Sequence, residues 1–206
     1  INKMVEGGEV PEMPVYLDSP LASKVTDIYR NYTHLFNKAV QKEIQQGDDI
    51  FEFPKFTIVK NVGESNDIVH ASSPKVIIGG SGMSVGGRIL LHEKHLLADP
   101  HTTILFVGYQ GVGTLGRRIQ DGARTVEIEG KKVRVRAKKA TIRGFSAHKD
   151  RDNIIDFIAE TADTLEGVFV AMGEPRSSLF LVQRLRDFLD IPAQAPQQGD
   201  TIPLNF

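Results

Sequence analysis

Residues 75–87 read K-V-I-I-G-G-S-G-M-S-V-G-G and run directly into R-I-L-L-H-E-K-H-L-L at 88–97. A β-branched run, a glycine loop and a helix-length segment follow one another without a break. The order recurs twice. T-I-L-F-V at 103–107 leads to G-Y-Q-G-V-G-T at 108–114 and a short helix over 115–120. G-V-F-V-A at 167–171 leads to M-G-E-P at 172–175 and a helix over 177–189. Strand, loop and helix in repetition imply an α/β fold with parallel strands and right-handed crossovers. The strands are apolar without alternation, as expected when helices cover both faces of a sheet.

Outward from these units the pattern changes. Residues 1–14 read as the tail of a helix and a loop, and 15–17 as a short strand. Asp18-Ser19-Pro20 reads as a helix start, with Ser19 capping and Pro20 at the first helical position. Apolar residues from Leu21 to Val40 at three- and four-residue spacing predict one long helix over 21–46, stopped by Gly47. Residues 48–68 read as an aromatic-rich loop with short elements, ending in a helix cap at N-V-G-E-S-N-D. Residues 125–128 and 131–137 alternate polar and apolar around Glu129-Gly130, which predicts a hairpin with one wet face. A domain boundary is placed near Ala123, giving segments 1–124 and 125–206. A last strand is expected at 201–204.

The 206 residues carry a net charge of −1 and are 40% hydrophobic, enough for a real core without a global basic bias. Cysteine is absent, which removes disulfides and thiolate ligands and fits a reducing, cytoplasmic setting. No apolar run has the length of a membrane span, and residues 1–9 show no signal peptide. The chain opens on Ile1 rather than Met, so it is expected to be a piece of a longer protein.

Several stretches carry candidate chemistry. The loop 79–87 exposes backbone N–H groups ahead of a helix and reads either as a phosphate cradle or as a plain tight turn. It is neither a Walker loop nor a dinucleotide fingerprint. The loop 108–114 has the same logic, with Arg117 and Arg118 following it. A dense basic run covers 131–143; on one strand Arg134, Arg136 and Lys138 would share a face, most simply a solvated one. His92 and His95 are three apart, not the four of the zinc-protease helix, and read as a solvated helix face. R-G-F-S-A-H-K-D at 143–150 places His148 between a basic strand-like segment and an amphipathic helix over 153–160. Histidine suits proton transfer near neutral pH.

Four strings together resemble a known family: D-S-P-L-A at 18–22, S-G-M at 81–83, G-Y-Q-G-V-G-T-L-G-R at 108–117 and G-F-S-A-H at 144–148. Their order and spacing are similar to those of the β-CASP group of metallo-β-lactamase-fold nucleases, its bacterial and archaeal RNA-processing branch most of all. The resemblance implies a β-CASP domain over 1–124, with a mainly parallel sheet flanked by helices. The C-terminal β/α part of a metallo-β-lactamase domain would follow over 125–206. It implies zinc-dependent hydrolysis of RNA, or of single-stranded DNA, in a cleft between the two domains. Two zinc ions are implied, their ligands mostly in an N-terminal lactamase half, because the family's H-x-H-x-D-H and E-S-T-Y-G strings are not in this sequence. His148 matches the family's histidine beside the scissile phosphate. Ser81, Gly82, Met83, Thr114, Arg117 and Ser146 would contact phosphate or RNA. Met172 stands where the family carries a zinc-binding His, and a thioether is a poor zinc ligand. With most zinc ligands outside it, the chain alone is expected to be inactive. The other reading is a non-catalytic nucleic-acid-binding or assembly module with a degenerate metal site. Without its other half the lactamase segment would expose apolar surface, which favours a homodimer.

Overall fold

Strand β1 (Val15–Asp18) lies at the centre of a three-stranded parallel sheet, between β2 (Phe56–Ile58) and β3 (Val76–Gly79). Val15 and Leu17 are buried, as the apolar alternation of this short run requires. The register pairs Leu17 with Ile58 and Ile78, and Asp18 with Gly79. The end of β1 therefore stands beside the first residue of the glycine loop 79–87. This computed structural model describes residues 1–142, 144–145 and 148–204. The chain divides into two compact units, Ile1–Phe145 and Ser146–Phe206.

In the first unit, α1 (Asn2–Glu6) precedes β1, and α2 (Pro20–Asn31) follows it. Ser19 caps α2 through an Ala22 N–H bond to its Oγ at 3.2 Å, with Pro20 at the first position. The single helix expected over 21–46 is instead two helices. A 3₁₀ turn, Thr33–Leu35, separates α2 from α3 (Lys38–Gln45). Asn37 is the reason on the sequence side: its side chain accepts the Val40 N–H at 3.0 Å and starts a new helix. Phe36 is extended, and its ring lies 6.2 Å from Phe51, a contact a straight helix would not make. The Gln41 amide donates to the carbonyls of His34 and Phe36 and satisfies the backbone exposed by the break.

Helix α4 (Val62–His70) is capped by Asn61, and α5 (Ile89–Leu96) follows the first glycine loop. Strand β4 (Thr103–Phe106) pairs in parallel with β7 (Lys138–Thr141), and α6 (Leu115–Gln120) follows the second glycine loop. β5 (Thr125–Ile128) and β6 (Lys131–Arg134) form the expected antiparallel hairpin. Glu129 and Gly130 both have positive φ, as a two-residue primed turn demands. The hairpin does not run on to Ala137. Arg136 and Ala137 both donate to the Leu97 carbonyl at the end of α5, at 2.8 and 3.0 Å. The chain thus leaves one sheet and enters another, so Arg134, Arg136 and Lys138 do not line one strand. The hairpin's inner face, Val126, Ile128 and Val133, packs with Leu97, Phe106, Ile119 and Ala137 into one core.

In the second unit, α7 (Arg151–Ala159) and α8 (Pro175–Leu189) accompany a parallel pair, β8 (Val168–Phe169) and β9 (Ala193–Gln194). Val182, Leu185 and Ala193 form its core. The last strand sits at 193–194 and not at 201–204. Val168 and Val170 donate to the carbonyls of Pro192 and Gln194, both at 2.8 Å, while Pro203 has no N–H to give a ladder. The fold is α/β and mainly parallel, as the sequence implies. Among the described residues, however, the three strand–loop–helix units pair with β1, β7 and β9 and not with one another.

Asp18 is not part of the α2 cap. Its carboxylate is fully buried and accepts from three side chains. Ser65 of α4 donates to Oδ2, the Arg88 guanidinium donates to Oδ1 at 2.7 Å, and His92 Nε2 of α5 donates to Oδ2 at 2.6 Å. Arg88 also donates to the carbonyls of Val59 and Lys60, at 3.1 Å each. His92, expected on a solvated face, is 3% exposed. Arg88 and His92 stand one helical turn apart and therefore point the same way.

Burial disfavours the charged carboxylate, but the bonds from Ser65, Arg88 and His92 outweigh it and hold the Asp18 carboxyl below its ordinary range. A depressed folded pKa contributes stability above the unfolded value, lost as pH falls through the folded one. Asp18→Ala leaves a buried imidazole and a half-buried guanidinium without their acceptor. It is expected to lower the unfolding free energy at pH 7 by about 3–5 kcal/mol in urea titrations. A loss below about 1 kcal/mol would mean that the carboxylate is not holding these elements.

Candidate functional site

The loop 79–87 leaves β3 as a tight turn. Ser84 N–H donates to the Ser81 carbonyl at 2.8 Å, and both serines have positive φ, near 60° and 55°. Such angles are costly for a residue with a Cβ and persist only when neighbours enforce them. The enforcing contact is buried: the Ser84 hydroxyl donates to Glu93 Oε1 of α5 at 2.5 Å. Ser81, Gly82 and Met83 consequently lie on the surface. Among the described residues the amides of Gly82 and Met83 have no backbone acceptor.

The second glycine loop locks onto the first. Gln110, 2% exposed, donates through Nε2 to the Gly82 carbonyl at 2.7 Å. Gly116 N–H donates to the Met83 carbonyl at 3.0 Å. A Cβ at Gly116 would lie 2.9 Å from that same carbonyl oxygen, so only glycine permits this approach. With the two carbonyls turned toward Gln110 and Gly116, exposed N–H groups at 82 and 83 are left for an anion. Tyr109, Val112 and Val85 are exposed on the same two loops.

Thr114 caps α6: its Oγ1 accepts the Arg117 N–H at 3.2 Å and donates to the Gly111 carbonyl at 2.7 Å. The Arg117 Nε pairs with Asp121, and its Nη1 donates to the Gln110 carbonyl at 3.3 Å. Both side chains therefore brace the loop through bonds of their own.

In the second unit, His148 is exposed on a bend two residues before Asp150. Asp150 caps α7 by accepting the Asn153 backbone and side-chain N–H groups at 2.9 and 2.8 Å. Those bonds hold its carboxyl below the usual range. Ser146, with Arg143 and Ala147, lies outside the described residues. Met172 has positive φ and a fully exposed side chain. Its thioether follows β8 at the head of the loop into α8, with no imidazole in its place. Among the described residues no cluster of three His, Asp or Glu side chains forms a metal site. The residues present do not by themselves fit the zinc centre that the resemblance implies.

The structure thus brings Ser81, Gly82, Met83, Thr114 and Arg117 together on one surface. It adds Gln110 and Glu93, which the sequence left without a role, and Asp18, which it placed only in a helix start. The signals were present: a polar residue inside a glycine loop, and Arg88 and His92 four apart on a helix.

Glu93 is 4% exposed. Burial pushes its carboxyl up to about 7, against the opposing hydrogen bond from Ser84. A raised carboxyl pKa gives stability that is full below the unfolded value near 4.5 and lost as pH rises toward 7. Glu93→Gln, neutral at every pH, should flatten that decline. The wild-type stability should fall by up to about 3 kcal/mol more than the variant's between pH 4.5 and 8 in denaturant titrations. Parallel pH curves would contradict this assignment. Gly116→Ala should destabilise the unit by about 1–3 kcal/mol through overpacking against backbone; no loss would mean that the loops do not interlock.

Comparison with known proteins places the chain in a family. A family model described as the Beta-Casp domain matches residues 1–119. A second, the Zn-dependent metallo-hydrolase RNA specificity domain, matches residues 132–196. A ribonuclease of Thermus thermophilus is 39% identical over 152 residues, covering 74% of this chain and 35% of the relative. The transcription termination factor FttA of Pyrococcus horikoshii is 34% identical over 199 residues, covering 94% of this chain and 30% of the relative. FttA of Thermococcus kodakarensis is also 34% identical, covering 94% of this chain and 31% of the relative. The chain spans about a third of the length of these relatives. With interlocked glycine loops on its first unit and both family models matched in sequence order, the chain belongs to the β-CASP family of metallo-β-lactamase-fold RNA nucleases.

Proposed function

We propose that this chain is the β-CASP and RNA-specificity portion of a zinc-dependent ribonuclease that hydrolyses RNA phosphodiester bonds. The observation that carries the reading is the pair of interlocked loops. Their carbonyls are turned inward and the amides of Gly82 and Met83 outward, a surface suited to non-bridging phosphate oxygens. The names of the relatives support it: a ribonuclease, and termination factors of transcription.

In this reading Ser81 Oγ and the two amides, all of the first unit, hold a phosphate of the RNA. Thr114 and Arg117 keep the second loop in place, and Ser146 helps orient His148 or binds phosphate. His148 donates a ring proton to the leaving oxygen as water adds to phosphorus, and is reprotonated from solvent. Exposure to solvent suits that exchange. The zinc ions belong to ligands mostly outside these 206 residues. The second reading, a binding or assembly module without catalysis, is favoured by one observation: Met172 exposes a thioether where the family carries a zinc-binding imidazole.

The chain alone should show no zinc-dependent RNA cleavage. The complete protein should cleave, and His148→Ala should slow it by about 10²–10⁴-fold with RNA affinity unchanged. Cleavage at the wild-type rate in that variant would overturn the role of His148. Met172→His in the complete protein should raise bound zinc by elemental analysis; unchanged metal content would favour the binding module.

A further inference from the structure

Away from the glycine loops, the open end of the β5–β6 hairpin forms a cleft of about 450 Å³ lined by Arg124, Arg134, Val135 and Arg136. All three arginines are exposed. Among the described residues their guanidinium groups make no hydrogen bond or ion pair. Arg30, Arg88, Arg117 and Arg151, by contrast, each engage a carboxylate. The hairpin is also polarised. At its turn end Glu129 pairs with Lys94 at 2.6 Å, and Glu127 stands opposite Lys132. At the open end the acid nearest in sequence, Asp121, is held by Arg117.

The backbone beneath the cleft is fixed. Thr125 pairs with Arg134, Val135 N–H donates to the Arg124 carbonyl at 3.0 Å, and Arg136 N–H donates to Leu97 at 2.8 Å. The flanking Val133 and Ala137 are buried in the core. Three planar cations are therefore held around one concavity on a rigid edge.

We infer that this arginine cleft is a second binding site, taking the phosphodiester backbone of a single-stranded RNA outside the loops 79–87 and 108–114. The inference rests on the RNA-directed function proposed above. Exposed cations bind a lone anion weakly because water screens them. A polyanion adds a counterion-release gain at each contact, so three arginines in a row suit a polyphosphate. Arginine forks also match phosphate oxygens in pairs. No aromatic ring lines the cleft, so it would track the backbone without stacking bases and without sequence preference.

The test measures binding of a fluorescent single-stranded RNA to the 206-residue chain across a salt series, alongside inorganic phosphate. Arg124→Gln/Arg134→Gln/Arg136→Gln is compared with Lys24→Gln/Lys38→Gln/Lys60→Gln, three exposed lysines elsewhere in the same unit. The arginine variant should bind RNA at least about tenfold more weakly at low salt. Its slope of log affinity against log salt should be smaller by about 2, at about 0.7 per lost contact. The lysine variant should keep most of both. Equal losses in the two variants, or wild-type affinity in the arginine variant, would overturn the site. Loss of phosphate binding with RNA binding unchanged would mark a small-anion pocket and also overturn it. If the wild-type chain binds RNA and only the arginine variant is unaffected, the cleft fails alone. If the wild-type chain binds no RNA, the site falls together with the RNA-binding role proposed for this chain.

Discussion

A single buried carboxylate, that of Asp18, is the constraint on which the first unit depends. It closes β1, accepts from Ser65 on α4, and accepts from Arg88 and His92 on α5. A charge with no exposure is tolerable only when its oxygens are fully bonded, and here three donors converge on two atoms. The consequence is positional. Arg88 directly follows the loop 79–87, and Gly79, its first residue, pairs with Asp18. Fixing Asp18 fixes both ends of that loop. Ser65 and His92 are not a nucleophile and base: Ser65 bonds the carboxylate and not the imidazole, and both are buried. The group builds the site without taking part in chemistry.

The loops extend this logic outward. Glu93 and Ser84 pin the underside of the first loop, while Gln110 and Gly116 take up the carbonyls of Gly82 and Met83. Carbonyls turned inward leave amides outward, and outward amides attract anions. This division of polarity is what the proposed phosphate site rests on. Arg117 and Thr114 contribute by holding the second loop. Among the described residues, exposed arginines without partners include Arg124, Arg134 and Arg136 at and just beyond the open end of the β5–β6 hairpin, and Arg118 just after the second glycine loop.

Much of this was legible in the sequence. Strand, glycine loop and helix are local patterns, and each formed close to where its residues indicated. The parallel pairing was legible as well, but the cover on both faces expected of unalternating apolar strands is incomplete: Ile78, Leu105 and Phe169 are exposed. Which strand pairs with which was not: β3 joins β1, and β4 joins β7, through contacts distant in sequence. The long helix failed at Phe36-Asn37, where an aromatic contact with Phe51 and a side-chain cap outweighed helical periodicity. The last strand failed because Ala193 and Gln194 offered β8 a partner that the Pro203 segment could not. His92 was the largest misreading. A histidine among polar neighbours on a helix looks solvated until its tertiary partner is known, and that partner lies 74 positions away. Ser81, Gly82 and Met83 were singled out through the family resemblance, and the structure places them on the surface; Gln110 and Glu93 lie beneath that surface and left only faint local signals.

The central claim is that outward amides at the tips of interlocked loops receive RNA phosphate. Amide chemical shifts of the ¹⁵N-labelled chain, followed as single-stranded RNA is titrated in, test it most directly. The account predicts saturable shifts at the backbone N–H groups of Gly82 and Met83, with little change at the buried amides of Asp18 and His92. RNA binding with the Gly82 and Met83 resonances unmoved would contradict it.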